Sequence, residues 1–328
     1  MDFDLTEDQQ EIKRVARDLL GARSTMARVR EAAEARRYDD ALFTEIVALG
    51  WPGIAVDERH GGQGLGAVEL TVLLEELGYA CAATPFLSTA VVAAVLQSAG
   101  TDRQRERWLP GLVAGEVRAG VGPSGLVLDG SEAEIVLLIA GDQATLLESF
   151  DAEPLETIDP TRRFARVRGD GEVLEADAAA RFAVAVASDV VGVCQRALEL
   201  TLDYVKERKQ FGVPVGSFQA VSHRCAQMLL HTESARSAGY FAAWAADADP
   251  ERLPEGAALA AATAATGGRE VTSSAIQNHG GIGFTWEADV HWLYKRAELD
   301  RALLGSGSRH HAALARIAAQ RLTAAAPA

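Results

Sequence analysis

Cysteine is scarce in this chain: Cys81, Cys194 and Cys225 are the only three in 328 residues. An odd number at wide spacing makes neither a disulfide framework nor a metal knuckle, so no metal is expected. Each lies among apolar residues, which predicts buried thiols in a reducing cytoplasm. Positive charge is in deficit, with 32 Lys and Arg against 46 Asp and Glu and a net charge of -14. An acidic surface favours solubility and argues against nucleic acid as a partner. Anionic ligands then need a local cluster of arginines and free backbone N–H groups. No run of about 18 residues is uninterruptedly apolar, so no membrane span is expected. The first residues also lack the basic and apolar regions of a secretory signal, and a cytoplasmic location follows.

What is present is 48% hydrophobic content, enough for a sizeable core in two or three parts. The chain reads as mainly α. Thr6 and Gln9 make a capping box, and Ile12, Val15, Ala16, Leu19 and Leu20 recur at helical spacing. Further helices are predicted over 41–49, 68–77, 88–96 and 103–112, with a glycine-rich loop at 60–66. Residues 125–174 hold short β-prone runs (134–139, 144–147 and 165–168) separated by turn signals such as Asp129-Gly130, Gly141-Asp142 and Gly169-Asp170-Gly171. They predict a small antiparallel sheet. Helices then return over 178–209, after Ser217 as a cap, from Pro254 to Asn278, and over 289–321, with a frayed tail at 323–328. The parts are placed at 1–119, 120–176 and 177–328. Residues 257–265 are apolar nearly all round, which predicts a helix buried on several sides, by this chain or by a partner.

Two blocks carry chemistry. The first runs from Tyr204 through Arg208, Lys209, Gln210, Phe211 and Gly212 to Phe218 and Gln219. It sets a cation and an aromatic ring beside Gly-Pro turns and a fresh helix N-terminus. Arginine suits bidentate recognition of phosphate, and helix N-termini expose N–H donors. Arg208 equally suits a helix C-terminus, where a cation meets the dipole. The second block is Gln277, His279, Gly280, Gly281, Gly283, Phe284, Trp286 and Glu287. Its glycines permit close approach to a ligand, or an ordinary interhelical turn. His279 alone reads as a hydrogen-bonded structural histidine.

Together the two blocks resemble the acyl-CoA dehydrogenase family, and the resemblance extends over nearly the whole chain. Phe3 to Gln9, Gly50 to Ile54, Gly61 to Gly64, Glu75 to Gly78 and Asp159 to Arg162 are similar to family segments. The resemblance implies an N-terminal helical domain, a middle β-domain and a C-terminal four-helix bundle. It implies FAD at a subunit interface, with contacts to its ADP half from Arg208, Gln210, Phe211, Phe218, Gln219, Gln277, Gly280 and Gly281. It implies α,β-desaturation of an acyl-CoA substrate, in which the flavin accepts the hydride and a carboxylate removes the Cα proton.

The sequence departs from the family where that base belongs. The usual glutamate position is matched by Leu304, or by Gly305 with one insertion, in 302–307. The alternative position on the first bundle helix falls near Arg181, Phe182 and Ala183. The segment that supports the flavin ring is replaced by 120–125, without its Thr-Glu pair, and the sheet is short. The chain is therefore most similar to the shortened, base-lacking subunits of heterotetrameric (α2β2) steroid-type acyl-CoA dehydrogenases of actinobacteria. A longer subunit carrying the base is the implied partner, and electron-transferring flavoprotein the implied acceptor. The alternatives are a self-sufficient enzyme with a relocated base, for which Glu287 and Asp300 are the nearest carboxylates, and a flavin-free CoA-binding or scaffold protein. Glu287 also reads simply as a helix-start carboxylate.

Overall fold

Thr6 starts the first helix, α1 (Glu7–Arg23), through reciprocal bonds: Gln9 N–H donates to its hydroxyl at 3.2 Å, and the Gln9 side chain accepts from Thr6 N–H at 3.0 Å. The computed structural model describes residues 4–141, 143–174, 177–305 and 307–325. Phe3, Asp142, Ser306 and the last three residues of the tail lie outside them. The helix α2 (Met26–Ala35), capped by Thr25, escapes the periodicity reading because its buried face is only Val29, Ala32 and Ala33 among charged neighbours. Then come α3 (Asp40–Ala48), α4 (Ala67–Tyr79), α5 (Phe86–Ala99) and α6 (Asp102–Val113), where helices are predicted.

The middle of the chain forms one seven-stranded sheet in the order β5-β6-β2-β1-β3-β4-β7. The strands are β1 (Ala119–Gly122), β2 (Val127–Leu128), β3 (Ile135–Ala140), β4 (Gln143–Leu147), β5 (Asp151–Leu155), β6 (Phe164–Arg168) and β7 (Glu172–Leu174). Two expectations are corrected here. The sheet starts at Ala119, because the Ala-Gly-Val-Gly of β1 carries no β-branched run and owes its conformation to neighbours on both sides. It is also not wholly antiparallel: β1 and β3 run parallel, Val121 opposite Leu137. After the β1–β2 hairpin the chain crosses to the far edge of β1, and a strand placed there in that sense must run parallel.

The C-terminal part holds α7 (Ala178–Glu207), a ribbon of β8 (Lys209–Gln210) and β9 (Val213–Pro214), α8 (Gln219–Ala248), α9 (Leu253–His279), α10 (Val290–Leu304) and α11 (Gly307–Ala325). Helix α9 packs against α7, α8, α10 and α11, so its alanine-rich stretch is buried within this chain. The last helical region is two helices divided at Gly305, which has φ +81°. Residues 323–325 are helical rather than frayed, with the Thr323 hydroxyl donating to Ala319. Ser217 does not cap α8: its hydroxyl donates to the Pro214 carbonyl at 2.7 Å, and Phe218 stands at the N-cap with no side-chain bond. Helix α7 is long and apolar enough to cross a bilayer, but 72% of its most apolar window is buried inside the protein.

One crossing sets the spacing of α4 and α7. A Cβ added at Gly192 would lie 1.8 Å from the Glu75 carbonyl oxygen, and one at Gly78 2.1 Å from that of Asp189. Only glycine lets the two backbones approach so closely. Gly192→Ala is expected to cost about 1–3 kcal/mol or more in urea unfolding. Gly239→Ala on α8, where an added Cβ meets nothing within 4 Å, is the control and should be neutral or slightly stabilising.

Candidate functional site

The two blocks converge at one end of the bundle. Helix α7 stops at Arg208, whose N–H donates to the Tyr204 carbonyl at 2.8 Å. Phe211 and Gly212 both take positive φ, 53° and 81°, and reverse the chain into β9. That turn throws the Phe211 ring outward, 94% exposed, edge-on to Phe218 at 6.2 Å. Opposite, α9 ends at His279, which donates Nδ1–H to the Ala275 carbonyl at 2.7 Å and stacks on Tyr204 at 4.5 Å. Burial lowers its pKa, so it is a neutral strut joining the two helix ends. Gly280 follows with φ +65° and ψ −141°, a conformation essentially reserved for glycine.

Between these ends lies an open cleft of about 620 Å3. Arg208, Gln210, Phe211 and Phe218 line one side, and Gln277, Gly280 and Gly281 the other. Gln219 is not among the lining residues; it is the first residue of α8, and exposed. A Cβ added at Gly212, Gly280 or Gly281 meets nothing within 4 Å, so the space before these backbones is free. Arg224, one turn into α8, brings a second guanidinium to the cleft. Periodicity from the start of α8 could have flagged it, because it shares a face with Ala220 and Val221. No carboxylate among the described residues lines the cleft. Among the described residues neither Arg208 nor Arg224 makes an ion pair, and Arg208 makes no side-chain bond to the end of α7. A protein of net charge −14 thus keeps two uncommitted cations at one mouth. Phe284 and Trp286 are 83% and 69% exposed, and Trp286 lies against His291, Trp292 and Lys295 at the start of α10.

The base positions are closed. Leu304 is 5% exposed and belongs to the main core together with Leu303 and Val121. Leu303 lies against β1, its Cδ2 3.5 Å from where a Cβ on Gly122 would be. Gly305 is a helix cap without a side chain. On α7, Arg181 pairs with Asp177 at 3.0 Å, and Phe182 is buried. Glu287 is exposed, two residues ahead of the α10 N-cap, and is not in the cleft lining. Asp300 is fully buried and bonded by Arg162.

A second cavity of about 300 Å3 lies between α4, α5 and α7, lined by apolar residues such as Leu70, Leu74, Val91 and Val184. Its one carboxylate, Asp247, escapes the sequence reading. It accepts from Ala67 N–H at 2.8 Å and Val68 N–H at 3.3 Å, capping α4 from a distance of 180 residues. Burial raises its pKa against those two bonds. It is committed to a helix end.

Comparison with known proteins covers most of this architecture. The chain matches the acyl-CoA dehydrogenase N-terminal domain over residues 6–116 and the C-terminal domain over residues 173–319. It is 34% identical to acyl-CoA dehydrogenase IpdE2 of Mycobacterium tuberculosis, over 92% of this chain and 94% of that protein. Among solved structures it superposes on the Tcur3481-Tcur3483 steroid ACAD G363A variant with a TM-score of 0.86 and 27% identity, covering 97% of this chain and 99% of that one. The ChsE4-ChsE5 complex from Mycobacterium tuberculosis shares the fold, with a TM-score of 0.84, 24% identity and full coverage of both chains.

Proposed function

The chain belongs to the acyl-CoA dehydrogenase family, and from that premise we propose that it completes the FAD site of a longer, base-bearing subunit and supplies no base itself. One observation carries this reading: among the described residues, an open cleft holds two arginines without an ion pair and no carboxylate, while the base position, Leu304, is packed into the core.

The cleft suits the ADP half of the cofactor. Arg208 and Arg224 would grip the pyrophosphate, with charge and fork geometry matched to phosphate oxygens. Gly280 and Gly281 would let the backbone lie close to it, and Phe211 and Phe218 would pack beside it. Gln210 and Gln277 would supply neutral donors and acceptors. When bound, FAD supplies acceptance of the Cβ hydrogen as hydride during α,β-desaturation of an acyl-CoA. This chain's part would be to bind and orient the ADP half of the cofactor in the cleft.

The reading implies an α2β2 heterotetramer with half the flavin sites of a homotetramer, placed in the cytoplasm, with electron-transferring flavoprotein as acceptor. Two neighbouring structures carry two-component names, Tcur3481-Tcur3483 and ChsE4-ChsE5, and one is called a steroid ACAD, which favours a steroid-derived acyl-CoA.

Expression tests the reading. Alone, the chain should purify without the flavin absorption band and without dehydrogenase activity. Co-expressed with a longer family subunit, it should co-purify yellow and active, and Glu287→Gln should leave turnover unchanged. A homogeneous chain that oxidises acyl-CoA by itself would defeat the proposal. A native complex free of FAD would favour a scaffold instead.

A further inference from the structure

Five charged side chains meet in the interior where the middle sheet, the bundle and the α4–α5 turn converge. Asp159 and Arg162 come from the loop before β6, Asp189 from α7, and Arg296 and Asp300 from α10; none is more than 5% exposed. Arg296 Nε donates to Asp159 Oδ2 at 2.8 Å, and its other nitrogens reach Asp189 Oδ1 at 3.7 Å and the Ala82 carbonyl at 3.2 Å. Arg162 spans two carboxylates, with Nη2 paired to Asp189 Oδ1 at 2.7 Å and Nη1 donating to Asp300 Oδ1. Asp189 Oδ2 and Asp300 Oδ2 are both buried without another partner. Their Oδ1 atoms are held by the two terminal nitrogens of the one Arg162 guanidinium, which sets the two carboxyl groups side by side.

Three carboxylates against two guanidiniums leave one negative charge in excess, in an interior where an uncompensated ion is severely penalised. A single proton on Asp300 cancels that charge. We propose that Asp300 keeps a proton in the folded chain and turns it toward the Asp189 carboxylate beside it, and that this bond latches α10 to α7 and to the middle sheet.

Among the described residues, no cation other than Arg162 and Arg296 pairs with Asp189 or Asp300. On α10, Lys295 sits near Asp159 at the cluster's edge, and Glu298 turns to Arg301 at 2.8 Å and to Arg269 of α9 at 3.9 Å. Cys194 of α7 faces Asp300, and Cys81 of the α4–α5 turn faces Arg296. Burial pushes these thiols up to about 12 and about 11, so both stay neutral. Beyond Arg162, burial lifts Asp129 to about 6, against its bonds from Ser88 and Tyr38. Glu132 lies beyond Asp129. Burial, opposed by Arg162 and reinforced by Asp189, holds Asp300 well above the usual carboxylate range.

The sign of the linkage follows. A carboxyl whose pKa rises on folding stabilises fully below its unfolded value and loses that contribution as pH climbs toward the folded one. Between the two values the folded chain carries one extra proton, so the unfolding constant gains about tenfold per pH unit from this pair. Urea unfolding of the full chain from about pH 5 to 9 measures that slope. In Asp300→Asn the new carboxamide accepts from Arg162 and donates to Asp189 Oδ2, a neutral latch with no titrating proton. Its slope of log unfolding constant against pH should be lower than wild type by about one. Asp129 titrates in both proteins and drops out of the difference. Equal slopes would overturn the proposal. If Asp300→Asn does not fold, Asp189→Asn serves in the same way. Failure of both leaves the infrared spectrum of the wild-type chain near neutral pH, where a protonated-carboxyl carbonyl band present only in the folded state supports the latch and its absence overturns it.

Discussion

Asp159→Ala is expected to destabilise the full-length chain by about 3–5 kcal/mol, the usual cost of breaking a buried ion pair from one side. Asp159 is inaccessible to solvent and accepts from Arg296 Nε at 2.8 Å and from Thr161 N–H at 3.0 Å. Without it, Arg296 remains charged in the interior with Asp189 no closer than 3.7 Å. Burial alone would raise the Asp159 pKa, yet Arg296 and Arg162 prevail and hold it below the usual range. Its contribution is therefore present at neutral pH and lost as pH falls through that lowered value. Asp159→Asn keeps the shape and an acceptor, and should cost less. Glu153→Ala, which breaks an exposed pair with Arg166 across β5 and β6, should change stability by no more than about 1 kcal/mol. Urea unfolding of the three variants checks the ranking. A loss for Asp159→Ala as small as that of the surface pair would mean that the cluster does not hold the three parts together.

Arg208→Ala should weaken flavin retention by the heteromeric complex by about 10- to 100-fold, the range expected when a charge-assisted bond to phosphate is lost. Arg208 is exposed and makes no ion pair among the described residues, so thermal unfolding of the chain should hardly move. Arg208→Lys should give an intermediate affinity, because an ammonium keeps the charge without the planar fork. Flavin absorbance retained after dilution and gel filtration measures the effect. Undiminished flavin in Arg208→Ala would remove the cleft from the cofactor site.

Some of this was legible before any coordinates. Local chemistry gave the Thr6 capping box, and the apolar runs marked β3 and β4. The clustering of Arg208 with Gly280 and Gly281 was legible only through resemblance, because two long helices, α8 and α9, separate the blocks. Features made by tertiary contact were hidden. Strand β1 carries almost no strand signal, and the face of Arg224 depends on where α8 begins. Ser217 sits where a cap belongs, yet its hydroxyl turns back to Pro214. The five-membered ion cluster draws on positions 159 to 300, and no local pattern announces a buried aspartate. Asp159 to Arg162 resembles a strand entry in sequence and is, in space, the middle part's anchor to the bundle.

Anaerobic mixing of the proposed heteromeric complex with an acyl-CoA tests which subunit removes the proton. With the longer subunit's base carboxylate changed to glutamine and this chain left intact, the flavin should stay oxidised. Rapid bleaching in that complex would mean an acid group of this chain does the work, and the division of labour drawn from the buried Leu304 would be wrong.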